Sequence, residues 1–95
     1  MMDKPYLSHL YPYGQPPQVE WISPRQAALA RKALYLSYEE AALKTGTSKG
    51  TLMRIERGYS KVKQETITEI INSYNLLGIR FFRTEKTEGV EYELT

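Results

Sequence analysis

A chain of 95 residues with 41% apolar and 25% charged side chains can bury one hydrophobic core and no more, hiding about 60 to 70% of its unfolded surface. It has no cysteine and a single histidine, His9, which excludes a disulfide framework and leaves no ligand set for zinc. No apolar run nears the ~18 residues of a membrane span, and the N-terminus lacks the charged-then-apolar order of a signal peptide, so a cytoplasmic, non-membrane protein is expected.

The net charge of +2 conceals an uneven distribution. Residues 25–63 carry nine basic side chains against three glutamates, a net of +6, between flanks of −1 (residues 1–24) and −3 (residues 64–95). A basic centre between acidic ends is the pattern of a polyanion-binding face on a domain near neutrality overall.

Residues 1–21 hold four of the five prolines and show no helical or strand period, so they read as an extended Pro/Tyr-rich tail. Tyr6, Tyr11, Tyr13 and Trp21 give that tail aromatics that can lie against the domain or a protein partner. Residues 22–95 read as the folded domain. Ser23-Pro24-Arg25-Gln26 is a capping box with proline at the first helical position, predicting a first helix from Pro24 to about Tyr35. Ser37 followed by Glu40 starts a second, short helix that Gly46 ends. Ser48 caps a third through Thr51, and Gly58 closes it. Ile67, Ile70, Ile71 and Tyr74 give a fourth helix one apolar face, with a stop at Gly78. From residue 79 the period changes to 2, Ile79, Phe81 and Arg83 alternating with Arg80 and Phe82, and Val90 and Tyr92 with Glu91. A β-hairpin over 79–94 is predicted, closed by the polar stretch 84–89.

The second and third helices form a short unit, SYEEAALKTGTSKGTLMRIERG. With Tyr38 as its first position, the fifth, Ala42, is small enough for two helices to approach. The ninth, Gly46, turns the chain in a left-handed conformation. The fifteenth and eighteenth, Leu52 and Ile55, face the core. These offsets are those of a DNA-binding helix-turn-helix. Glu39 and Glu40 point about 100° apart on their helix, so capping and dipole complementation account for them better than a paired-carboxylate site. No nucleophile with a base, phosphate-cradling glycine loop or metal cluster emerges, so neither enzymatic activity nor a cofactor is expected.

From Ile22 through this unit to Leu77-Gly78 the sequence resembles the phage-repressor/Cro-type (XRE) helix-turn-helix regulators. The resemblance covers about three quarters of the chain. It implies a mostly-α, four-helix, lambda-repressor-like domain that binds double-stranded DNA sequence-specifically, usually as a dimer on a palindromic operator, with the second helix of the unit in the major groove. Carried over by position, Lys49, Gly50 and Arg54 reach base edges. Ser48 and Thr51 contact phosphate, and Lys61 and Lys63 neutralise the backbone. Gly50 has no side chain to read a base, so readout should rest on Lys49 and Arg54. Tyr38, where the family usually has glutamine, is either a phosphate contact or an aromatic cover for the third helix; Arg57 and Tyr59 are either backbone contacts or polar turn residues. The resemblance also implies an ion pair, Arg31 with Glu56. Phe81, Phe82, Val90 and Tyr92 are expected in a dimer contact, since a two-stranded hairpin is marginal alone and its edge invites a symmetry mate. Leu43 is read as a packing position for the tail or hairpin. The alternative to a dimeric repressor is a protein-interaction module on the same fold, antitoxin-like or bridging, that uses the tail or hairpin to hold a protein partner.

Overall fold

The computed structural model describes residues 19–58 and 61–94. Helices α1 (Pro24–Ala33), α2 (Tyr38–Thr45), α3 (Lys49–Glu56) and α4 (Gln64–Leu76) precede an antiparallel pair of strands, β1 (Ile79–Arg83) and β2 (Glu88–Tyr92). This is the four-helix, mostly-α architecture with a C-terminal hairpin expected from the sequence. None of the helices among the described residues is long and apolar enough to cross a membrane.

Each helix of the first three begins where a serine can satisfy its orphan amides. Ser23 Oγ accepts from the Gln26 amide at 3.0 Å while Gln26 Oε1 accepts from the Ser23 amide at 3.1 Å, and Ser37 with Glu40 repeats the arrangement. Ser48 Oγ accepts from the Thr51 amide at 3.1 Å. Gly46 ends α2 at φ +70° with open space where a side chain would be; the backbone angle, not crowding, demands glycine there.

The first helix is two residues shorter than predicted. It ends at Ala33, and Tyr35 stands at φ +57°. The Leu36 amide donates to the Arg31 carbonyl at 3.1 Å and the Tyr35 amide to the Lys32 carbonyl at 3.0 Å, the paired bonds of a Schellman motif with tyrosine at the left-handed position. Glycine usually marks that position, and without one the sequence carries no local sign that the helix stops at Ala33.

The core gathers one face of every element. Ala27 and Ala30 from α1, Ala41 from α2, Leu52 and Ile55 from α3, Ile70, Ile71 and Tyr74 from α4, and Ile79 and Phe81 from β1 are all buried. Ala30 and Ala41 are fully enclosed, small residues that let the helices approach closely. Tyr74 and Phe81 meet edge to face with centroids 6.3 Å apart, an arrangement that adds to their area burial.

The hairpin pairs Ile79 with Tyr92, Phe81 with Val90 and Arg83 with Glu88, so Val90 shares the core-facing side with Phe81 while Phe82 lies opposite Gly89 on the other. A Cβ on Gly89 would come within 2.9 Å of the Phe82 ring; the aromatic ring occupies the space that glycine leaves. One side chain fastens the hairpin to α1. Gln26 Nε2 donates to the carbonyls of Phe82 at 2.8 Å and Gly89 at 3.1 Å. Around it, Ser23 Oγ donates to Glu88 Oε2 at 2.6 Å, Arg83 pairs with Glu88 at 2.8 Å, and the Arg83 guanidinium lies over the Trp21 ring, 4.1 Å from its centroid. The last residues of the tail, 19–21, lie against the domain. Val19 packs against the core, Glu20 accepts from Gln64 at 2.6 Å, and Trp21 is held by Arg83. Tyr6, His9, Tyr11 and Tyr13 lie outside the described residues.

Candidate functional site

The residues of interest sit along α3 and at its two ends. Leu52 and Ile55 turn inward, which leaves Lys49, Gly50, Arg54 and Arg57 exposed, with Thr51 and Met53 half-buried between them. At 100° per residue the positions 49, 50, 53, 54 and 57 form one outward stripe. Met53 also falls on that stripe, and its spacing of four from Lys49 is the one sequence signal that places it there. The stripe carries three cations and one glycine, so a large, electronegative surface can approach the helix closely along it.

At the N-terminal end, Lys49 Nζ is 2.8 Å from Glu39 Oε2, and both side chains are more than half exposed. The lysine hydrogen bond is the main cause that holds the Glu39 carboxyl below its ordinary range. Glu40 is held low by the Ser37 amide that it caps. Ser48 and Thr51 hydroxyls bond each other at 2.9 Å, and Arg54 reaches Thr51 Oγ1 at 3.4 Å. This cluster remains open to solvent.

At the C-terminal end the environment is reversed. Arg31 grips Glu56 with two parallel bonds, Nε to Oε2 at 2.8 Å and NH2 to Oε1 at 2.9 Å, with side-chain exposures of 12% and 5%. Its NH1 donates to the Leu36 carbonyl at 3.1 Å, so the same guanidinium also fixes the α1–α2 connection. The bond to Glu56 raises the Arg31 pKa further. Tyr38 donates its hydroxyl to Glu56 Oε1 at 3.0 Å and lies beneath the Arg31 guanidinium, 4.0 Å from ring centroid to Cζ. The Tyr38 hydroxyl is turned inward to Glu56, because a carboxylate stripped of water is a strong acceptor; this geometry is that of the aromatic cover for α3, the second of the two roles the sequence left open. Tyr74, fully enclosed nearby, finds no hydrogen-bond partner for its hydroxyl among the described residues, and burial pushes its pKa up to about 12.

Beyond α3, Lys61 and Lys63 are exposed. Helix α4 starts on Lys63 without a side-chain cap, beside two exposed cations, a favourable place for an anion. Tyr59 lies outside the described residues. The residues expected in a dimer contact are not equivalent: Phe81 is in the chain's own core at 3% exposure, Val90 packs against that core, Phe82 is half-buried over Gly89, and Tyr92 is the exposed one. Phe81 belongs to the chain's own core because it lies on the side of β1 that faces α4 and meets Tyr74 there. Leu43, expected to pack under tail or hairpin, is 85% exposed.

Among the described residues no group of three acidic or histidine side chains is placed to hold a metal. A protein-family model described as helix-turn-helix matches residues 28–82, more than half of the chain and all of α2, α3 and α4. No curated protein matches it.

Proposed function

The chain belongs to the Cro/repressor-type (XRE) helix-turn-helix family of DNA-binding regulators, and on that premise we propose that it is a sequence-specific repressor that binds a palindromic operator as a dimer. The observation that carries this reading is the outward stripe of α3: Lys49, Gly50, Arg54 and Arg57 are exposed on a helix whose opposite side is locked into the core. Lys49 and Arg54 read base edges, a lysine or arginine on guanine being the commonest specific contact, worth about 1 to 3 kcal/mol of discrimination. Gly50 lets the helix lie close to the groove floor. Met53, between them, offers an apolar surface to a thymine methyl.

Ser48, Thr51, Arg57, Lys61 and Lys63 then serve the phosphate backbone, supported by the uncapped start of α4. Such contacts set affinity and register without carrying sequence. A repressor of this size acts by occupying a promoter in competition with polymerase. Dimerisation is proposed through the exposed end of the hairpin, where Tyr92 and Leu94 are exposed, as is Leu76 near the end of α4. A protein-interaction role has one specific observation in its favour, the exposure of Leu43 on α2.

Selection of bound sequences from a random duplex library, followed by a salt series on selected and scrambled duplexes, tests the reading. Arg54→Ala and Lys49→Ala should relax preference at particular operator positions. Lys61→Ala or Lys63→Ala should weaken all duplexes alike and reduce the salt slope by about one unit each. Equal losses on selected and scrambled duplexes for Lys49→Ala and Arg54→Ala would mean that α3 does not read sequence, and the interaction-module reading would take its place.

A further inference from the structure

Tyr35 has no folding reason to be a tyrosine. It occupies the left-handed position of the Schellman turn at φ +57°, where any Cβ is unfavourable and an aromatic one is rarer still. Its side chain is 94% exposed, so no packing offsets that cost. The backbone is nevertheless fixed in place: the Tyr35 amide is bonded to the Lys32 carbonyl, the Leu36 amide to the Arg31 carbonyl, and the Leu36 carbonyl to Arg31 NH1. A rigid turn therefore holds an aromatic side chain out into solvent at the cost of backbone strain. Unfavourable conformations that persist in well-determined surroundings concentrate where a segment meets something outside the chain.

The position tells what it meets. Tyr35 stands two residues before Ser37, the cap of α2, and α2 is the helix that crosses the phosphate backbone in a docked helix-turn-helix. Beside it, Lys32 is exposed on the last turn of α1. An ammonium and a phenol hydroxyl held on one turn are complementary to a phosphate oxygen, which accepts from both. Resting on the DNA-binding reading, we infer that Lys32 and Tyr35 form an outer phosphate clamp that extends the contact with duplex DNA beyond the helix-turn-helix unit. The clamp is blind to sequence: it adds affinity on every duplex and anchors the end of α2 against the backbone. Tyr35 replaces conformational ease in the free protein with a contact made only in the complex.

The test separates stability from binding. Tyr35→Gly relieves the left-handed strain, so the variant should melt a few degrees above wild type, while its affinity for selected and scrambled duplexes alike falls about tenfold. Tyr35→Phe should lose several-fold affinity with the salt slope unchanged, because only a neutral donor is removed. Lys32→Gln should lower the salt slope by about one unit. If wild type binds duplex DNA and both Tyr35 variants bind as tightly as it does, the clamp is refuted and the DNA-binding reading stands. If wild type binds no duplex at all, both fall together. A Tyr35→Gly variant that is less stable than wild type would also overturn the argument, since the turn would then need the side chain.

Discussion

The two ends of α3 each carry an ion pair with a 2.8 Å contact, and they differ in almost everything else. At the C-terminal end, Glu56 is almost fully enclosed and held by both nitrogens of one guanidinium edge and by the Tyr38 hydroxyl. At the N-terminal end, Lys49 meets Glu39 through one contact in solvent. An exposed pair of this kind gains little from its own attraction, whereas a desolvated one is committed, because breaking it strands a charge. Distance alone therefore does not tell a structural pair from an exchangeable one. The helix is clamped where the core needs it and left with a replaceable, solvent-exposed partner at its other end.

The largest effects are expected from the buried end. Arg31→Met or Glu56→Gln leaves the other charge without its partner and should cost about 3 to 5 kcal/mol in urea unfolding; variants that melt like wild type would remove the pair as a structural element. Next comes alkaline pH. Tyr74 has its pKa raised to about 12 from an ordinary 10, so the folded state prefers the neutral phenol. That contribution is complete below about pH 10 and is lost as pH rises towards 12, by up to about 3 kcal/mol. In Tyr74→Phe this alkaline loss should vanish, and stability at neutral pH should hold or rise, since a buried hydroxyl without a partner is deleted. Urea midpoints between pH 7 and 11 for both proteins give the comparison.

Smaller again is Tyr38→Phe, which keeps the ring under Arg31 and removes only the bond to Glu56; a loss of about 1 kcal/mol is expected for a half-buried hydrogen bond. Smallest is the exposed end. Glu39→Gln should leave the unfolding midpoint unchanged, and a clear loss there would erase the distinction between the two ends.

The elements were legible because their punctuation is local: serine caps, Gly46, and the switch of period at residue 79 each act over a few residues. Tyr35 shows the limit of that reading, since a turn normally announced by glycine is made here by a residue with no such preference. The bond from Tyr38 to Glu56 and that from Lys49 to Glu39 join positions 18 and 10 residues apart, and depend on how α2 crosses α3. Only the family resemblance pairs Arg31 with Glu56, for nothing in their 25-residue separation suggests it. The alternation of the hairpin was visible, yet not which of Phe81 and Phe82 the core would take, because both sides of β1 offer an aromatic.

The Gln26 amide has a consequence in time as well as space. It initiates α1 by accepting from Ser23 and holds the hairpin through carbonyls 56 and 63 residues further along. A chain made from its N-terminus completes all four helices before the groups that this amide must hold exist. Until then the start of α1 has its own cap and its contacts with the other helices, but not the hold of the hairpin. The final strand thus acts as a latch on the oldest part of the fold, and ribosome-bound chains halted before residue 82 should show early protease cleavage near residues 19–26 that disappears once Gly89 has emerged.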